Sequence, residues 1–160
     1  MFLCHYLVQL MKHVIIYDSN YGNTKQVADH MAASLGNTTS VHVDEAGGMD
    51  WKDTELLIAG SPVNAWSPTA KMKKFLNGLD PERLKGVWVA AFDTRMKTLL
   101  SGNAAKKMAR SLEQSGGHLI APPIGFYVEK TEGPLMKDQM EKVDQWIMLI
   151  KSKMVRKPAN

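Results

Sequence analysis

Short unbroken apolar runs alternate along this chain with segments whose apolar residues recur every three or four positions. The run His13 to Tyr17, closed by Asp18-Ser19-Asn20, predicts a strand buried on both faces. Val27, Ala28, Met31, Ala32 and Leu35 then share one helical face, and Gly36 stands where a left-handed helix cap belongs. Val41-His42-Val43 predicts a brief second strand, Leu56 to Ala59 a third and Val87 to Phe92 a fourth. His118 to Ala121 predicts a fifth, able to resume at Phe126 to Val128. Between these runs, Ser67-Pro68 predicts a helix start, a capping residue followed by a proline in the first turn, with Met72, Phe75 and Leu76 facing inward. Ala104, Ala105, Met108, Ala109 and Leu112 mark a further helix closed by Gly116-Gly117. Met136, Met140, Val143, Ile147, Ile150 and Met154 mark the last, from about Leu135 to Lys153. The link Ala46 to Thr54 is short and bears glycine, so any helix there is small.

Apolar strands alternating with amphipathic helices imply an α/β domain, a doubly wound five-stranded parallel sheet joined by right-handed crossovers. At 160 residues the chain suits one such domain, expected over residues 12–153, with residues 1–11 as an N-terminal extension and 154–160 as a basic tail. The stretch Met1 to Leu10 is too short to span a bilayer and lacks the leading positive charge of a signal peptide. It is expected to reflect an upstream start; an intact mass of the native protein beginning at Met1 would overturn that. The single cysteine, Cys4, excludes an internal disulfide and a cysteine-based zinc site, and points to a reducing, cytoplasmic compartment.

In doubly wound sheets ligands bind beyond the carboxyl ends of the strands, so the loops after strands one, three and four carry the chemistry. The first, Ser19-Asn20-Tyr21-Gly22-Asn23-Thr24, is polar, small and free of lysine. Unpaired N–H groups at the start of the following helix, with the hydroxyls of Ser19 and Thr24, suit a phosphate monoester. Neither the Walker ending nor G-x-G-x-x-G is present. The stretch Ile15-Ile16-Tyr17-Asp18-Ser19-Asn20-Tyr21-Gly22-Asn23-Thr24, with Ala28 beyond it, resembles the FMN phosphate signature of the flavodoxin family. Gly60-Ser61-Pro62 and the strand layout extend that resemblance from about Lys12 to Lys153. The family is the standing example of strand order 2-1-3-4-5 with FMN at the reversal point, and both are implied here.

The resemblance places the flavin ring between Ser61-Pro62-Val63-Asn64-Ala65-Trp66 and Phe92-Asp93-Thr94-Arg95-Met96. Trp66, aromatic in polar surroundings, is expected to stack on the ring. No glycine follows Gly60 in its loop; Asn64 is the residue best able to take a left-handed angle, so the one-electron-reduced flavin is expected to be less stabilised than is usual for the family. The fourth-strand loop departs from the family pattern in having no Tyr and in carrying Arg95 and Lys97. Met96 either covers the ring through its sulfur or fills the core edge. Arg95 either approaches the pyrimidine end, favouring an anionic reduced flavin, or is a solvated surface residue. The histidines show no metal spacing, and Ala59-Gly60-Ser61 stands where a receiver domain would need an Asp.

These readings together imply an FMN-binding electron carrier between redox proteins. Two alternatives remain at this stage, an NAD(P)H-dependent FMN or quinone reductase on the same fold and a cofactor-free interaction protein. The formal net charge of +4 would by itself suggest nucleic acid, but no motif supports that, nor a membrane. Its distribution is more telling. Residues 1–60 hold 3 Lys/Arg against 7 Asp/Glu, and residues 61–160 hold 17 against 9, or −4 against +8. The surplus sits at Lys71, Lys73 and Lys74, at Lys106, Lys107 and Arg110, and from Lys151 to Lys157. Redox partners with acidic docking surfaces are therefore expected.

Overall fold

The computed structural model describes residues 12–49 and 53–155. The expected extension 1–11 and all but the first two residues of the basic tail lie outside them. Strands β1 (Lys12–Tyr17), β2 (Thr38–His42), β3 (Thr54–Pro62), β4 (Trp88–Met96), β5 (His118–Leu119) and β6 (Ile124–Val128) form one sheet in the order β2-β1-β3-β4-β5, with β6 also paired to β4. All pairings are parallel. β5 and β6 are two halves of the fifth position. β5 pairs with the start of β4 at Trp88↔His118, and β6 with its end from Phe92↔Ile124 to Met96↔Val128. Pro122 and Pro123 lie in the break, where neither can donate to a ladder.

Alternation along each strand sends residues to two cores. Val14, Ile16, Leu57, Ala59, Val89 and Ala91 face helices α2 (Ala70–Asn77) and α3 (Ala104–Gln114). Ile15, Tyr17, Leu56, Ile58, Ala90 and Phe92 face α1 (Asn23–Leu35) and α4 (Gln139–Lys153). Both faces are covered, which is why the strands read as unbroken apolar runs.

Several boundaries differ from the sequence expectation for local reasons. The second strand ends at His42, and Val43–Gly48 forms a 3₁₀ turn. α2 starts after Thr69, not at Ser67-Pro68, because the Thr69 hydroxyl caps Met72 N–H at 3.3 Å. The last helix starts at Gln139, since Leu135 is bridged to Val128 and Asp138 takes φ +68°. β3 and β4 run past their apolar segments because Ser61↔Asp93 and Pro62↔Thr94 continue the pairing. That extension carries the sheet into the loops that hold the chemistry.

Candidate functional site

At the carboxyl edge of β1, Gly22 takes φ +93° and stands at the start of α1, which has no side-chain cap and no acidic residue in its first turn. The Ser19 hydroxyl accepts from Gly22 N–H at 3.1 Å and Lys25 N–H at 3.4 Å, folding the loop back on itself. The N–H groups of Asn20, Tyr21, Asn23 and Thr24 have no protein acceptor among the described residues. A helix N-terminus with free donors and no carboxylate in its first turn attracts an anion. Thr24 is buried with its Oγ1 2.8 Å from Thr94 Oγ1, which ties the loop to β4.

The loop opens on a cavity of about 450 Å³, within the range of small-ligand sites. Of the expected residues, Ser19, Asn20, Tyr21, Asn23, Thr24, Pro62, Val63, Asn64, Ala65, Trp66, Thr94, Arg95 and Met96 line it. Gly22 shapes the loop without facing the cavity, and Ser61 lies beneath it, its hydroxyl accepting Thr69 N–H at 3.0 Å. Two more of the expected residues, Phe92 and Asp93, stand off its lining. Phe92 is fully buried in the core between Phe126 and Trp146, at ring distances of 5.9 and 6.5 Å. Asp93 points into the opposite layer, where it accepts Ala105 N–H at 2.9 Å and anchors the start of α3. Neither reaches the cavity, because β4 continues through both and strand alternation turns their side chains into the two layers. Thr98, Leu100, Ser101, Val128 and Thr131 line it without having been foreseen.

Trp66 stands 60% exposed on the rim. Asn64 and Ser67 exchange two backbone hydrogen bonds, 2.7 and 3.1 Å, and the residues between them, Ala65 and Trp66, take φ +48° and +63°. Left-handed angles thus fall at these two residues and not at Asn64. The Trp66 indole N–H donates to Leu100 O at 2.6 Å, so the ring reaches across to the fourth-strand loop. Gly102, at φ +76°, permits this approach, for a Cβ there would lie 2.6 Å from Trp66 Cα.

Arg95 is not the solvated surface residue of one sequence reading. Its Nε donates to Asp93 at 2.9 Å, its NH1 to Gly102 O at 2.8 Å, and the guanidinium lies against Gly125. It lines the cavity as a brace, with its charge already engaged. Met96, 38% exposed, keeps its sulfur 3.6 Å from the Thr131 hydroxyl that donates to it. Beyond Arg95, the Lys142 amine donates to Gly125 O at 2.6 Å and lies 4.4 Å from the Tyr127 ring centre. Its pKa is lowered, first by burial and then by the Arg95 charge.

Burial pushes the Asp93 carboxyl above the ordinary carboxylate value, which the Ala105 N–H and Arg95 offset only in part. The folded chain therefore holds this proton more tightly than the unfolded one. Stability from this group is full below the ordinary value of 3.8 and falls as pH rises through the higher folded value. Asp93→Asn should accordingly gain stability relative to wild type between about pH 4 and about pH 7. Urea midpoints at the two pH values would show it; a constant difference would contradict it.

One buried residue that sequence reasoning passed over holds the loops together. Asp18, 6% exposed, accepts Ser19 N–H at 2.8 Å and the Thr69 hydroxyl at 2.5 Å, and its Oδ1 lies 3.1 Å from His42 Nε2. Since Thr69 also binds Ser61 and caps α2, one carboxylate joins the first loop, the end of β2 and the third loop.

The donor set fits FMN. Free N–H groups and two hydroxyls suit a phosphate, and Trp66 and Met96 offer the aromatic and sulfur surfaces that pack on a planar ring. A strand–loop–helix turn with free N–H groups, on a doubly wound sheet with a cavity between the loops after β3 and β4, is the architecture of a flavodoxin-like α/β domain. The family model described as the flavodoxin domain matches residues 14–146, and the chain belongs to that family. Among solved structures it is similar to oxidised Flavodoxin 1 from Bacillus cereus, at 18% identity and TM-score 0.74 over 88% of this chain and 97% of that one. A flavodoxin from the domain Archaea matches at 18% identity and TM-score 0.73, over 91% of this chain and 100% of that one. The rubredoxin oxygen:oxidoreductase of Desulfovibrio gigas matches at 20% and 0.67, covering 94% of this chain and 39% of that one. These likenesses are of fold. A search of curated proteins finds no match. No helix among the described residues is long and apolar enough to cross a membrane.

Proposed function

We propose that this protein binds FMN in the cavity at the carboxyl edge of its sheet and carries electrons between redox proteins. The observation that carries this reading is the set of four free N–H groups between Asn20 and Thr24 at one end of a cavity with Trp66 and Met96 on its wall. The matches to flavodoxins over nearly their whole length support it. Bound FMN supplies the electron-accepting and electron-donating chemistry. The chain's own residues do the rest: the first loop and the start of α1 hold the phosphate, Trp66 and Met96 cover the ring, and Arg95 and Asp93 keep the fourth-strand loop in place.

The visible spectrum of purified protein, with an FMN titration if it is colourless, tests the reading. Flavin absorbance or saturable binding is expected, and absence of both would overturn it. Rapid oxidation of NADPH with a quinone, without an added reductase, would make the protein an enzyme instead of a carrier. Thr24→Val removes a hydroxyl that both meets Thr94 and stands among the phosphate donors. FMN affinity should fall about tenfold to hundredfold, read by flavin fluorescence titration; an unchanged affinity would take Thr24 out of the phosphate site.

A further inference from the structure

Four of the eight large apolar side chains exposed among the described residues line one cavity, Tyr21, Trp66, Met96 and Leu100, and a fifth, Leu99, stands on the turn between its lining residues Thr98 and Leu100. Leu99 is wholly exposed and Leu100 is 79% exposed. Scattered exposed leucines need no explanation, but an apolar lip around one opening marks an interaction surface. Its flanks differ in charge. On one side α2 and α3 bring exposed Lys73 and Lys74, and Lys106, Lys107 and Arg110, and α2 contains no acidic residue. Lys107 reaches Ser67 at 2.9 Å, which places this cationic ridge against the Trp66 loop. On the other side Glu129 and Glu132 stand with Lys130 in the segment that meets Asn23, and Lys97 lies near Tyr127, so that flank is nearly balanced in charge.

Resting on the reading of the cavity as a redox site, we propose that this lip is the docking surface for a protein partner whose own redox centre lies in an apolar socket bordered on one side by carboxylates. Leu99 enters the socket, and the ridge on α2 and α3 pairs with the carboxylates, fixing orientation and speeding encounter at low salt. A uniform anionic membrane surface fits less well. Such a surface would repel the carboxylates of Glu129 and Glu132, which stand opposite the ridge.

The test measures binding on the chain without added cofactor, so that it stands apart from FMN binding, which is titrated separately. Amide chemical shifts are followed against three probes: a small cytochrome with a carboxylate-ringed haem edge, one with a lysine-ringed edge, and vesicles of phosphatidylcholine with phosphatidylglycerol. The acidic cytochrome should bind at least about tenfold more tightly than the basic one at low salt, shifting the residues around Leu99 and Lys106. Raising the salt should abolish most of that difference. Leu99→Asp and the double change Lys106→Glu, Arg110→Glu should each weaken binding by about tenfold or more while leaving FMN affinity unchanged. Equal binding of both cytochromes, preference for the basic one, binding to the vesicles alone, or variants that bind as wild type does would each overturn the proposal. Failure of the FMN titration with the cytochrome preference intact would overturn only the reading of the cavity.

Discussion

Gly60→Ala is expected to cost about 3 kcal/mol of stability, a large share of the few kcal/mol by which a domain of this size stays folded. Gly60 sits in the middle of the sheet, in register with Tyr17 on one side and Phe92 on the other. A Cβ on Gly60 would lie 2.1 Å from Phe92 Cζ and 2.4 Å from one of its Cε atoms. A ring at the surface could swing away, but Phe92 is fully buried and held by Phe126 and Trp146. Moving it means moving α4, which buries Trp146 and hydrogen-bonds the indole N–H to Pro122 O at 3.0 Å. The Gly60 carbonyl also accepts Asp18 N–H at 3.0 Å, so a shift of the backbone would reach the first loop. Urea denaturation with circular dichroism reads the effect. A variant within about 1 kcal/mol of wild type would show that the aromatic cluster has room to yield.

How far the molecule could be read in advance follows from which residues carry local signals. The buried strands and the four helices were legible because both faces of the sheet are covered and each helix keeps one apolar face, as at Val27, Ala28 and Met31. The polar residues that end the strands were not. Ser61, Asp93 and Thr94 look like loop residues in sequence, yet they are paired and buried, because the sheet continues past its apolar stretch. The first loop of the site was legible from its run of small polar residues between strand and helix. The fourth-strand loop was read less well. Thr98, Leu100 and Ser101 reach the cavity through a turn whose course depends on Gly102 meeting Trp66, a contact between residues far apart in the chain. Asp18 left one signal that went unused, a carboxylate directly after four buried residues, where a charge stays only if other groups satisfy it.

Replacing Asp18 with Ala should lower stability by roughly 2 to 4 kcal/mol and weaken FMN binding at the same time. The carboxylate meets three partners from three segments: Ser19 N–H, the Thr69 hydroxyl and the His42 ring. Truncation leaves these polar groups without their acceptor in a site of low exposure, and each unsatisfied group costs about 1 to 3 kcal/mol. Two effects on FMN oppose each other. Removing a negative charge behind the phosphate loop would favour an anion, while freeing Ser19 and Thr69 would loosen the two loops that frame the cavity. The second should dominate, because hydrogen bonds and the neighbouring His42, itself 3.4 Å from Asp44, already engage that charge, and Lys71 pairs with Asp44 at 2.9 Å. The ordering of the loops has no such substitute. Asp18→Asn keeps one carbonyl oxygen for Ser19 or Thr69 and should fall between wild type and the Ala variant in both measurements. Urea midpoints of the cofactor-free chains and FMN titrations separate the terms. A stable Ala variant with tighter FMN binding would show that charge, and not the joining of the loops, governs this corner of the site.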